Sequence, residues 1–139
     1  MKRILVIITT AFTATGGLAS VMLNYYRSLD KKGLQIDFAS TNTITPALND
    51  EIQKNGSKYY QLPKRKNIIE YWKAVKCLSR NYDVVHLHAN SSTAVIELSA
   101  AKAAGVVKRI HHNHTSKTQH PVINALLHPF FMHSYTDAI

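Results

Sequence analysis

Residues 3–33 read RILVIITTAFTATGGLASVMLNYYRSLDKKG. The opening run, Arg3 to Thr9, is short and β-branched and ends in a polar, glycine-containing loop, as expected of a strand buried on both faces. From Gly17 the period changes. Leu18, Val21, Met22, Tyr25 and Leu29 recur at helical spacing, and Lys31, Lys32 and Gly33 supply a basic last turn and a stop. A buried strand that hands over to an amphipathic helix through a glycine loop is the opening of a β-α-β unit.

The rest of the chain repeats that alternation. Ile36 and Phe38 alternate with Gln35 and Asp37, which predicts a strand over Leu34–Ser40. Pro46 opens a short helix to Lys54, ended by Asn55-Gly56. Tyr59–Leu62 reads as a short strand, and Ile68, Trp72, Val75 and Leu78 mark one face of a helix over 67–80. Val84, Val85 and Leu87 predict another buried strand. Ser91 or Ser92 is placed to cap a helix running to Ala104, and Gly105 ends it. Val106–His112 is a further strand, followed by a helix over Val122–Met132 that Pro129 should kink or restart. Tyr135–Ile139 reads as the start of one more strand, so a truncated piece of a larger protein is expected. The fold class is therefore α/β: a Rossmann-like parallel sheet with helices on both faces and right-handed crossovers.

Composition narrows the class. A chain of 139 residues, 45% apolar and 18% charged, fits one domain with a full core and does not fit a disordered segment. Cys77 has no partner, which excludes an internal disulfide and suits a reducing compartment. Lys2 and Arg3 precede an apolar run too short, and too soon broken by Thr9, Thr10 and Thr13, for a secretory signal. No uninterrupted apolar stretch approaches the ~20 residues that cross a bilayer. The net charge of +9 is gathered at Lys64-Arg65-Lys66, Lys2-Arg3, Lys31-Lys32 and Lys108-Arg109. It points to a phosphorylated ligand or an anionic membrane surface. Nucleic acid fits less well, because the basic residues are dispersed and no RNA-binding aromatic motif is present.

In such sheets ligands bind beyond the carboxyl ends of the strands. The loops 10–17, 88–92 and 112–120 lie there and hold the unusual residues. The first carries Gly16 and Gly17 ahead of a helix whose unpaired N–H groups attract anions, although the pattern is neither a Walker A loop nor a G-x-G-x-x-G fingerprint and also fits a plain turn. His86 and His88 lie two apart on one strand and share a face, and His111, His112 and His114 end the next. Imidazole clusters bind zinc, but no nearby Asp, Glu or Cys completes a usual hydrolytic set, so no metal is expected. Such histidines also hydrogen-bond hydroxyls and phosphates or assist a leaving group. His86 reads best as a buried histidine satisfied by its hydrogen bonds, and His120, His128 and His133 as surface or helix-packing residues.

Three segments together resemble a known family. Residues 16–30, GGLASVMLNYYRSLD, resemble the Gly-Gly helix opening of family 4 (group 1) glycosyltransferases of bacterial capsular and exopolysaccharide synthesis. Residues 82–90, YDVVHLHAN, resemble their Asp-Val-(Val/Ile)-His-x-His strand, and residues 109–115, RIHHNHT, their Arg-Ile-x-His-Ser-His-Asn strand end. Order and spacing agree, and the likeness covers nearly the whole chain.

The resemblance implies the acceptor-side N-terminal half, residues 1–139, of a GT-B enzyme in which two Rossmann-like domains face across a cleft. It implies a retaining, metal-independent hexosyl transfer without a cofactor, from a nucleotide-sugar donor to a lipid-linked glycan acceptor at the cytoplasmic face of the plasma membrane. By the same analogy Gly16 and Gly17 approach the donor phosphates, and His114 stands at the reaction centre with His112 beside it. His88, Asn90 and Ser91 then line the acceptor side. The family's donor-binding domain, with its paired-glutamate motif, is absent from the sequence, so the chain alone is expected to be inactive. The alternative is a non-catalytic glycan- or phosphate-binding module, or a half-enzyme subunit with a separate donor-binding partner. An exposed apolar patch at Phe130, Phe131 and Met132 would favour that missing partner or domain.

Overall fold

A computed structural model describes residues 1–13, 17–114 and 121–138. The elements alternate as the sequence predicts: β1 (Lys2–Ile8), α1 (Gly17–Ser28), β2 (Leu34–Ser40), α2 (Pro46–Lys54), β3 (Tyr59–Gln61), α3 (Ile68–Ser79), β4 (Val84–His88), a 3-10 turn (Ser92–Ala94), α4 (Val95–Ala103), β5 (Lys108–His112), α5 (Pro121–Met132) and β6 (Asp137–Ala138). The six strands are parallel in the order β3-β2-β1-β4-β5-β6. The order reverses at β1, and in sheets of this kind ligands bind in the crevice beyond the carboxyl ends of the strands at such a reversal, here β1 and β4.

Each strand feeds two cores because its side chains alternate. Val6, Ile8, Ile36 and Phe38 pack under Ala19, Met22, Leu23 and Tyr26 of α1 and Leu48 and Ile52 of α2. Leu5, Ile7, Val85 and Leu87 pack on the other face with Tyr71 and Val75 of α3, Leu98 and Ala101 of α4 and Phe131 of α5. The buried stripe of α1 differs from the one that spacing suggests. Val21, Tyr25 and Leu29 are exposed, so this helix carries a second apolar stripe that its own core does not use.

Local chemistry accounts for the boundaries. Pro46 occupies the first turn of α2, and the Thr45 hydroxyl accepts from the Leu48 N–H at 3.4 Å. Gly56 and Gly105, just past α2 and α4, have φ of 78° and 89°, the left-handed conformation that stops a helix. β5 begins at Lys108 rather than Val106, whose side chain is drawn into the α3–α4 core instead. α5 runs through Pro129 without a restart. Pro129 and Ala125, the residue four back, are both exposed, so the carbonyl that the proline leaves unpaired stays in water. No helix among the described residues is long and apolar enough to cross a membrane.

The basic clusters are partly spent inside the fold. Arg65 turns inward to the fully buried Glu97, with Nε 2.9 Å from Oε1, and Lys108 pairs with Asp137 at 2.6 Å. Arg109 is 9% exposed and donates to the carbonyls of Ser134 and Val106 at 2.6 and 2.5 Å. Lys64 and Lys66 remain exposed, so the surface there is a pair of lysines rather than a run of three cations.

Candidate functional site

Strand parity and register build the site. His86 and His88 share a face of β4, and the parallel register sets His88 level with His112 of β5. His114, two residues on, continues the same alternation just beyond the strand. The four rings assemble into one cluster: His86 to His88 4.4 Å, His88 to His112 4.8 Å and His112 to His114 4.2 Å between centroids, the last pair stacked nearly parallel at 10°. His88 Nδ1 lies 2.9 Å from His114 Nε2. The carbonyl of His88 accepts from the N–H and the hydroxyl of Thr9, which ties the end of β1 to the cluster.

The cluster is uncharged at neutral pH. Burial is the first cause, with repulsion from neighbouring rings second, and together they push the His86 imidazole down to about 4 and that of His88 further still. Burial also lowers His112, and burial with the His112 neighbour lowers His114. Neutral imidazoles offer one donor and one acceptor each. Here much of that capacity is unused: His86 Nε2, His88 Nε2, His112 Nδ1 and Asn90 Oδ1 are buried without a hydrogen-bond partner. Leaving such a group unsatisfied costs about 1–3 kcal/mol each, so several at one strand end mark a place built to receive polar atoms. The reading of His86 as satisfied by hydrogen bonds is thus corrected.

A groove of about 450 Å³ opens beside the cluster, on the face where α1 stops covering the sheet. Met22, Tyr25 and Leu29 form its helix wall, Val6 and Phe38 its floor, and His86, His88 and His112 its polar side. Tyr25 and Leu29 of the second apolar stripe thus face the groove, while Val21 does not line it.

The other sequence candidates fall in different places. Gly17 is the first residue of α1, and Gly16 lies outside the described residues, as does His120. Asn90 stands just past β4 with its free oxygen. The Ser91 hydroxyl is engaged with Thr93, 2.6 Å from Oγ1 and accepting from its N–H at 3.4 Å, as the cap of the 3-10 turn. The next N–H, of Ser92, donates to Asn124 Oδ1 at 2.7 Å, so a side chain of α5 holds the amide at this turn. Asn124→Ala should loosen that docking and cost about 1 kcal/mol, in line with loss of a helix cap, as read by urea unfolding. His111 points to the opposite face, 3.2 Å from the Ala89 carbonyl and edge-on to Phe131, and is structural. His128 and His133 are exposed. Phe130 and Met132 are exposed, together with Val122 and Leu126, but Phe131 is buried, so the apolar patch runs along α5 without it.

Sequence reasoning missed His86 and the groove wall. The His-x-His repeat carried the signal for the first, because parity alone places residue 86 with residue 88. The wall was present as Tyr25 and Leu29, read as core.

The candidate site therefore belongs to a Rossmann-like α/β domain and sits toward the carboxyl ends of β4 and β5. Residues 15–139 match Glycosyltransferase Family 4, and the chain belongs to that family. It is 30% identical over 106 residues to "Putative glycosyltransferase EpsF" of Bacillus subtilis (strain 168), covering 73% of this chain and 27% of that protein. The fold is shared with the crystal structure of MurG from Acinetobacter baumannii, with a TM-score of 0.64 and 17% identity over 99% of this chain and 40% of that one. It is shared also with the TrkA-N domain of the inner membrane protein ybaL from Escherichia coli, with a TM-score of 0.53 and 11% identity over 99% and 85% of the two chains. The chain spans about a quarter of the length of EpsF.

Proposed function

We propose that the chain is the acceptor-side half of a glycosyltransferase that moves a sugar from a nucleotide-sugar donor to a lipid-linked glycan in surface polysaccharide synthesis. The observation that carries this reading is the juxtaposition of unsatisfied polar atoms with an apolar groove on the adjoining face of the sheet. A sugar acceptor brings hydroxyls for Asn90 Oδ1 and the imidazoles of His88 and His112, and a hydrocarbon segment suits the wall of Met22, Tyr25 and Leu29. His114, hydrogen-bonded to His88, stands at the reaction centre, where a neutral imidazole orients a hydroxyl or the leaving phosphate. The donor phosphates lie over Gly16 and Gly17, at the amino end of α1. The donor's nucleotide is held by a second domain or subunit, in keeping with the quarter of EpsF that the chain spans. Lys64 and Lys66 face an anionic membrane, each favouring attachment by about 1 kcal/mol.

The test is a transfer assay with labelled nucleotide-sugars and polyprenyl-phosphate-linked glycans, run on anionic and on zwitterionic vesicles. The intact gene product should label the lipid fraction, faster on the anionic vesicles, and the 139-residue chain alone should not. No transfer by the intact product from any nucleotide-sugar, with the acceptor still bound, would replace this reading by that of a glycan-binding module. The exposed apolar length of α5, with Val122, Leu126 and Phe130 about 70% open, favours a covering partner under either reading.

A further inference from the structure

The histidine cluster has a property that sugar transfer does not call for. His86, His88 and His112 each offer a ring nitrogen within 4.8 Å of those of the other two. Three imidazoles bound to a tetrahedral ion at about 2.0–2.1 Å place their nitrogens roughly 3.3 Å apart. The gap is on the order of 1 Å per ring, within the reach of side-chain rotation. The three side chains are set on two adjacent, hydrogen-bonded strands, so the backbone need not move. Each of the three also has a buried nitrogen that no hydrogen bond occupies.

We propose that His86, His88 and His112 form a binding site for a divalent transition metal of the zinc type. Three imidazoles and no thiolate or carboxylate suit zinc, cobalt, nickel or copper and disfavour magnesium and calcium, which take oxygen ligands. His114 acts as the outer partner. Its contact with His88 Nδ1 fixes the ring and leaves His88 Nε2 for the ion, the arrangement that orients histidine ligands in metal sites. With three protein ligands the fourth position stays open toward the groove. No carboxylate belongs to the cluster, so an anion in that position, hydroxide or a phosphate oxygen, would offset part of the ion's charge. The resemblance implies a metal-independent transfer, and this site adds an ion to the groove without assigning it a step. The ion takes the same free nitrogens of His88 and His112 that the proposed acceptor hydroxyls would meet, so the two compete. Metal binding is measured with no donor or acceptor present, so that failure of either reading is seen separately.

Cobalt(II) is the probe, since its visible bands report low-coordinate geometry directly. Titration of the metal-free protein should saturate at one equivalent with bands of a four-coordinate histidine site, displaced by zinc. His86→Gln and His112→Gln should each weaken binding at least about tenfold, and His114→Gln by about 10-fold to 100-fold, while His128→Gln and His133→Gln leave it unchanged. Circular dichroism checks that each variant is folded. If a variant does not fold, histidine ring resonances of the unaltered protein replace it: zinc should shift those of residues 86, 88, 112 and 114. Absence of the four-coordinate bands overturns the proposal. So does binding that persists in folded His86→Gln and His112→Gln, or zinc shifts confined to His128 and His133.

Discussion

In the intact gene product, the proposed transfer role predicts that replacing His114 by alanine should lower the rate of sugar transfer by about 10²-fold to 10⁴-fold, the range lost when a positioned acid–base group is removed. The expectation rests on where the ring sits. It stacks on His112 at 4.2 Å and reaches His88 Nδ1 at 2.9 Å, so it closes the cluster at the open end of β5. The change also strips His88 of its partner, and an orphaned buried nitrogen costs about 1–3 kcal/mol of stability. That loss alone would leave the surviving folded enzyme active. Kinetics measured well below the unfolding temperature therefore separate the two effects: a fall in kcat with little change in KM supports a role at the reaction centre. A fall in folded protein with normal kcat reduces His114 to a positioning residue for His88. The assay is run with chelator present, so that any metal at His86, His88 and His112 does not enter the result. His114→Gln keeps a polar group near His88 and should recover stability without recovering rate.

How much of this was legible in the sequence follows from which interactions are local. β1 and α1 are written in period: a β-branched run, then glycine, then helical spacing. Stops at Gly56 and Gly105 need only a left-handed φ at one residue. Parity within β4 and β5 is local too, and it brings His86 and His88 together. The register that sets His88 against His112 is not local, since it depends on β4 and β5 being neighbours, and only strand order supplies that. The same limit explains the misread face of α1. Spacing finds an apolar stripe, but α1 has two, Ala19-Met22-Leu23-Tyr26 and Val21-Tyr25-Leu29, and the sheet decides which one is buried. Charge was the least legible. Lys64-Arg65-Lys66 looks like one basic patch until Glu97, 32 residues away from Arg65, is seen to claim its middle member.

That pair yields the second large effect: Arg65→Met should destabilise the protein by about 3 kcal/mol near pH 8, and by much less near pH 5. Glu97 is fully buried and is held by Arg65 on one side and by the Tyr71 hydroxyl at 2.8 Å on the other. Removing one member of a buried pair strands the other charge, at a cost of several kcal/mol. The lower end of that range applies because the Arg65 side chain keeps 29% of its exposure. The pH dependence follows from the carboxyl. Burial raises the Glu97 value above the ordinary one, more than Arg65 and Tyr71 lower it. A group raised on folding stabilises fully below its unfolded value of about 4.3 and loses that contribution as pH climbs through the folded value. Without the guanidinium the folded value rises further, so the variant loses more stability than the parent between pH 5 and 8 and the two converge in acid. For a chain of this size 3 kcal/mol is about 10 °C in Tm. Glu97→Gln removes the titration and should flatten the profile while keeping an acceptor for Tyr71. Urea unfolding at both pH values decides the matter: a penalty for Arg65→Met that is equal at pH 5 and pH 8 would assign it to lost packing instead. The same guanidinium donates to the Thr93 carbonyl at 3.0 Å, on the turn that follows β4. Arg65→Met should therefore also loosen the backbone beside Asn90 and Ser91, seen as faster amide exchange there than at Leu48 and Ile52 under α1.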